Sequence, residues 1–183
     1  MKVELILAEF YVPSFLKKRE LTKLFSLTAA AFGGESPRFR RLSYDGLLSK
    51  FAEFAEKEST AAMNAGKDFA VIDERLFSGA FAFGEDLRRR FGLHGIEDAM
   101  RAARLIYRFL GINFLGTPRG EVTINKCLFG ETFSPRTCRV ISALDRGLMA
   151  GLSGGGEFTF TRRMTEGAET CMAYLIPRGS PNE

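Results

Sequence analysis

The chain has no tryptophan, one histidine, three cysteines and six prolines in 183 residues. It also has no run approaching the roughly 20 apolar residues that a membrane-spanning helix needs. Each shortage excludes something. The lone histidine, His94, falls in a linker between helices, so a serine–histidine–aspartate triad has no base to build on. Three cysteines are an odd number, so at least one is a free thiol and a disulfide framework is ruled out. Ten residues separate Cys127 from Cys138, and thirty-two separate Cys138 from Cys171. Structural zinc sites use close C-x₂₋₄-C pairs, so no metal is expected. The lysine of a Walker loop and a dinucleotide fingerprint are both missing, so no cofactor is expected either.

What is present fits one globular domain over residues 1–183. Its length can bury a real core, and it has no low-complexity tract. The net charge is a mild +4. Arg88, Arg89 and Arg90 are consecutive on a predicted helix and spread over about 200° of it, which describes a solvated face. No nucleic-acid module surrounds them, so nucleic acid is not an expected partner. The opening Met1-Lys-Val-Glu-Leu-Ile-Leu-Ala-Glu-Phe10 carries acids inside its apolar run, unlike a signal peptide. A cytoplasmic address is the expectation.

Helical periodicity fills residues 1–110. A first stretch, 3–32, is interrupted at Pro13, with Ser14 as the expected cap of its second part and Gly33-Gly34 as its stop. A second helix is predicted over 44–64 and a third over 68–91, with Phe69, Ile72, Leu76, Ala80, Phe83 and Leu87 at three- and four-residue steps. A fourth is expected from Ile96 to Leu110. After residue 119 the texture changes. Residues 121–129, 157–164 and 170–176 alternate as strands, and the last two are joined by a turn containing Gly167. Ser134-Pro135 starts a helix that runs to about Leu152, and Gly151 to Gly156 reads as a flexible turn. A loose tail, 177–183, follows. The expected fold is α+β, with a helical N-terminal half packed on a small, mainly antiparallel sheet.

The chemistry-bearing residues gather in the C-terminal third. Cys138 and Asp145 are seven residues apart, within about 20° of each other on one helix. Both flank the apolar stripe Ile141, Leu144, Leu148 and Leu152, beside Ser142 and Met149. They read as a nucleophile or ligand with an acid–base group, or as a core thiol beside a boundary carboxylate. Strand alternation puts Val122, Ile124 and Leu128 on one face and Glu121, Thr123, Asn125 and Cys127 on the other, so Cys127 is expected on a polar face. Cys171 shares its face with Ala173 and Leu175, a core signature. Glu58 interrupts the apolar stripe of the second helix, where an unpaired carboxylate is costly unless it reaches solvent.

The strand ending in Cys127, the helix with Cys138 and Asp145, and the closing Arg162-Arg-Met-Thr-Glu-Gly-Ala-Glu-Thr-Cys171 resemble the L-2-amino-thiazoline-4-carboxylic acid hydrolase family. Leu47-Leu-Ser-Lys-Phe-Ala-Glu-Phe54 is similar to that family's earlier helix, so the resemblance spans about 44–176. It implies hydrolytic opening of a small cyclic amidine. In that role Cys127 or Cys138 would be the thiol and Asp145 the acid–base group. Arg162 would clamp the substrate carboxylate, with Glu58 and Asn125 as further substrate contacts. The glycine shortly before Cys171 also resembles the vinyl-reductase-type small-ligand-binding domain, which implies a non-catalytic module with an apolar pocket. The expected partner in either case is a small-molecule substrate or ligand. A homo-oligomer is compatible with both.

Overall fold

A computed structural model describes residues 12–39 and 41–179. Its elements run α1 (Ser14–Phe32), α2 (Tyr44–Asn64), α3 (Phe69–Phe91), α4 (Gly95–Phe109), β1 (Ile112–Gly116), β2 (Glu121–Cys127), α5 (Pro135–Ser153), β3 (Glu157–Arg162) and β4 (Cys171–Ile176). The four strands form one antiparallel sheet in the order β1-β2-β4-β3. This is the expected α+β arrangement, with helices first and sheet last. The three expected strands are present, and β4 lies between the other two. β1 was not anticipated. It is only five residues long and follows directly on the helical half, where its Ile-x-Phe alternation is too short to stand out.

Capping side chains start three of these five helices, and Ser134 is the one the sequence reading placed. Ser43 accepts from the Gly46 amide, Asp68 from the Ala70 amide and Ser134 from the Thr137 amide. Ser14 does not cap. It is the first helical residue, and Pro13 before it offers no side-chain acceptor. The part of the first predicted stretch before residue 12 lies outside the described residues.

The sheet buries one face. Val122 and Ile124 of β2, Phe114 of β1, Phe158 of β3, and Ala173 and Leu175 of β4 join one hydrophobic cluster with the helices. The helix that matters most is α5, which is buried along most of its length. Its contact with α3 is made backbone to backbone. A Cβ added at Gly84 would lie 2.5 Å from the Leu148 carbonyl oxygen. One at Gly147 would strike the Phe77 carbonyl oxygen, and one at Gly151 the Phe81 carbonyl oxygen. Gly151 is therefore a helical contact residue and not part of a turn. The turn begins at Gly154, whose φ of 81° is the left-handed conformation that ends the helix.

Candidate functional site

The flank of α5 turned away from the α3 seam carries Cys138, Ser142 and Asp145, as helical spacing requires. The sheet brings three strand ends to that flank. Because neighbouring strands are antiparallel, the finish of β2 (Cys127), the finish of β3 (Arg162) and the start of β4 (Cys171) lie at the same end of the sheet. Two short 3₁₀ turns border it, Leu128–Glu131 after β2 and Met164–Glu166 after β3.

A β-bulge decides where Cys127 points. Phe114 pairs with Ile124 and Asn113 with Lys126, leaving Asn125 as the extra residue. Strict alternation would send Cys127 outward with Asn125. The bulge reverses the phase, so Cys127 pairs with the buried Ile112 and turns toward the core. The expectation of a polar-face thiol is thus corrected. Asn125 stays outside, where its side-chain oxygen accepts from Asn113 Nδ2 at 2.7 Å.

A second bulge acts in the same way on β3. Phe160 pairs with Ala173 and Arg162 with Met172, so Thr161 is extra. Without it, Arg162 would follow Phe158 and Phe160 inward. With it, Arg162 is exposed and Arg163 enters the cluster. The Arg163 guanidinium donates to Ser142 Oγ at 3.1 Å, lies 4.4 Å from the centroid of the Phe160 ring and is 3.7 Å from Glu166. Its side chain is only 16% exposed. Glu58 is half-buried on α2 and is not among the groups acting on Asp145. Glu56, two residues earlier, does the structural work there. Its carboxylate accepts from the Ser134 amide at 2.9 Å and ties α2 to the start of α5.

Asp145 is the centre of the site. Tyr107 of α4, only 1% exposed, donates its hydroxyl to the Asp145 carboxylate at 2.7 Å. The tyrosine ring stacks on Phe114, with centroids 4.7 Å apart. Burial pushes the Asp145 carboxyl up to about 6, against the opposing pull of Tyr107, Arg163 and Arg146. Burial and the adjacent carboxylate push the Tyr107 phenol well up.

All three thiols feel Asp145 and are held protonated. Burial pushes Cys127 up to about 11, although the Gly130 and Phe129 amides favour its thiolate. Burial raises Cys138 too. The Thr165 hydroxyl, buried without a conventional hydrogen-bond partner, lies beside it and opposes the shift, as does Arg163. Burial likewise raises Cys171, whose sulfur accepts from the Met164 amide at 3.3 Å. The arrangement is therefore a hydrogen-bonding patch of neutral thiols around one titratable carboxyl. Among the described residues, no group of three or more histidine, cysteine or acidic side chains is placed to hold a metal ion.

The sequence reading named Cys127, Cys138 and Asp145, and both thiols feel the Asp145 charge. It missed Tyr107, Arg163 and the membership of Cys171. A signal for Tyr107 existed: it falls on the apolar face of α4 with Met100 and Ala103, and a buried phenol needs an acceptor.

No family model matches the chain, and no curated protein matches it. Several solved structures do. A trafficking protein particle complex subunit 3 from Naegleria fowleri, covalently bound to palmitic acid, has a TM-score of 0.53 at 14% identity, over 74% of this chain and 98% of that one. A mutant H-NOX domain from Shewanella oneidensis in its Fe(II)CO state has a TM-score of 0.40 at 12% identity, over 91% and 97%. An H-NOX protein from the same organism in its Fe(II)NO state has 0.38 at 14%, over 88% of each chain. Of these three the first exceeds 0.5, and at its identity the likeness is one of fold: this chain is built like the trafficking subunit.

Proposed function

We propose that this chain is a small-ligand-binding module, of the vinyl-reductase type anticipated as the alternative, and that its ligand is read at the Asp145 cluster. The observation that carries this reading is the hydrogen-bonded Tyr107–Asp145 pair surrounded by protonated thiols. Such a patch offers donors and acceptors without a standing nucleophile, since the thiolate and not the thiol attacks. A subunit of the same fold carries a covalent palmitic acid, which supports a ligand-holding role for this architecture. Phe77 and Phe81 stack on each other, their centroids 6.2 Å apart, and line neither of the surface hollows described below. Phe77 packs against the core, and neither ring is assigned to the ligand.

A second reading, hydrolysis of a small cyclic amidine, is favoured by one feature. A carboxyl held near 6 can exchange a proton at neutral pH. In that reading Asp145 serves a bound water, and Arg163 takes the carboxylate-clamping role first given to Arg162. One experiment separates the two. The purified chain is examined by native mass spectrometry and then incubated with the thiazoline carboxylate while free thiol is assayed. The binding reading predicts a co-purifying small molecule that is lost in Asp145→Asn, and no new thiol. Turnover that disappears in Asp145→Asn would replace it with the hydrolase.

A further inference from the structure

Outside the cluster, the structure holds a basic trench that the functional reading does not use. One hollow of about 580 Å³ lies between α4 and the β1–β2 hairpin. Arg101, Arg104 and Arg108, at three- and four-residue steps along α4, form one wall, and Lys126 of β2 contributes from the hairpin. Leu105, Ile112 and Phe114 form its floor. A second hollow of about 420 Å³ shares Arg108 and Gly111 with the first. Its character differs. Leu48, Tyr44 and Phe109 line it, and Lys17 lies 5.0 Å from the centroid of the Phe109 ring.

Charge sets this region apart. Among the described residues, five cationic side chains and one acid, Asp45, line the two hollows. Cations converging on a concave surface focus the field on an anion. Arginines add planar donor forks suited to carboxylate or phosphate oxygens. The volumes fall within the range of small-ligand sites. We infer that the trench binds an amphipathic anion, with a phosphate or carboxylate head between Arg104 and Lys126 and an apolar body against Leu48 and Phe109. Phe114 separates this site from the Tyr107–Asp145 pair, so the two sites are distinct.

The test uses the full chain and isothermal titration at moderate salt. The probes are dodecyl phosphate below its micellar concentration, inorganic phosphate, and vesicles of phosphatidylcholine with or without phosphatidylserine. Dodecyl phosphate is expected to bind one to one, at least about tenfold tighter than inorganic phosphate. Arg104→Glu and Lys126→Glu should each weaken it by about tenfold or more, with an unchanged circular-dichroism melt and Asp145 titration. Added binding to phosphatidylserine vesicles would support a lipid as the source of the head group. Dodecyl phosphate binding alone would support a free ligand. Equal affinity for inorganic phosphate, unchanged affinity in both variants, or vesicle binding without dodecyl phosphate binding would each overturn the proposal.

Discussion

Helix α5 has two working flanks, and they are made of opposite materials. Toward α3 it presents Gly147 and Gly151, and the backbones meet with no side chain between them. Toward the sheet end it presents Cys138, Ser142 and Asp145, each with a polar neighbour. The first flank is packed backbone on backbone, with one ion pair, Arg146 to Asp73 of α3, at its edge. The difference teaches how a small protein can hold a half-buried carboxyl at the edge of its core. The glycine seam fixes the helix axis, and the fixed axis holds Asp145 against Tyr107, where burial raises the carboxyl without leaving it unbonded.

The comparison is broken most severely from the seam. Gly147→Val adds atoms that meet the Phe77 carbonyl, and backbone cannot yield as a flexible side chain would. A loss of about 4 kcal/mol in urea unfolding is expected, above the usual cost of overpacking. A loss under about 1 kcal/mol would show that the helices separate easily and that the seam fixes nothing.

The polar flank should answer to pH. The Asp145 carboxyl lies near 6 in the folded chain and near 3.8 when unfolded. Below both values each state carries the proton, and stability is unaffected. As pH rises through 4 to 6 the unfolded chain releases its proton first, so folding loses stability, by about 3 kcal/mol at neutral pH. Asp145→Asn cannot titrate. Its stability relative to the parent chain should therefore improve by about 2 kcal/mol between pH 4 and pH 7. A difference that stays flat over that range would show that the Asp145 carboxyl is not raised in the folded chain.

The two arginines give the smallest effect and the finest discrimination. Arg163→Ala removes a hydrogen bond to Ser142 and a contact with the Phe160 ring, and should cost about 1–2 kcal/mol. Arg162→Ala, on the exposed side, should stay within about 0.5 kcal/mol. The reverse order would mean that β3 lacks the bulge at Thr161.

These results bear on what a sequence can disclose. The helices, the Ser134 cap and the Cys138–Asp145 flank were legible because helical period and capping chemistry are local, although Ser14 proved to be the first helical residue and not a cap. The direction of Cys127 and the choice between Arg162 and Arg163 were not. Both depend on a bulge at an ordinary strand residue, Asn125 or Thr161, and the extra residue exists only relative to its partner strand. Gly151 was misread for a related reason. A glycine that admits a neighbouring backbone has the same local signature as one that makes a turn. Glu58 drew notice as a carboxylate in an apolar stripe, while Glu56 held the cap of α5 from 78 residues away in sequence.

The central claim is that Tyr107, Asp145 and Arg163 form one titrating unit at the sheet end. It is tested most directly by following the Asp145 carboxyl carbon by NMR from pH 3 to 9 in the parent chain, Tyr107→Phe and Arg163→Ala. The account predicts a midpoint near 6 in the parent. It predicts an upward move in each variant, because each removes a group that favours the carboxylate. A parent midpoint near the ordinary carboxylate value of about 4, unmoved by either substitution, would contradict it.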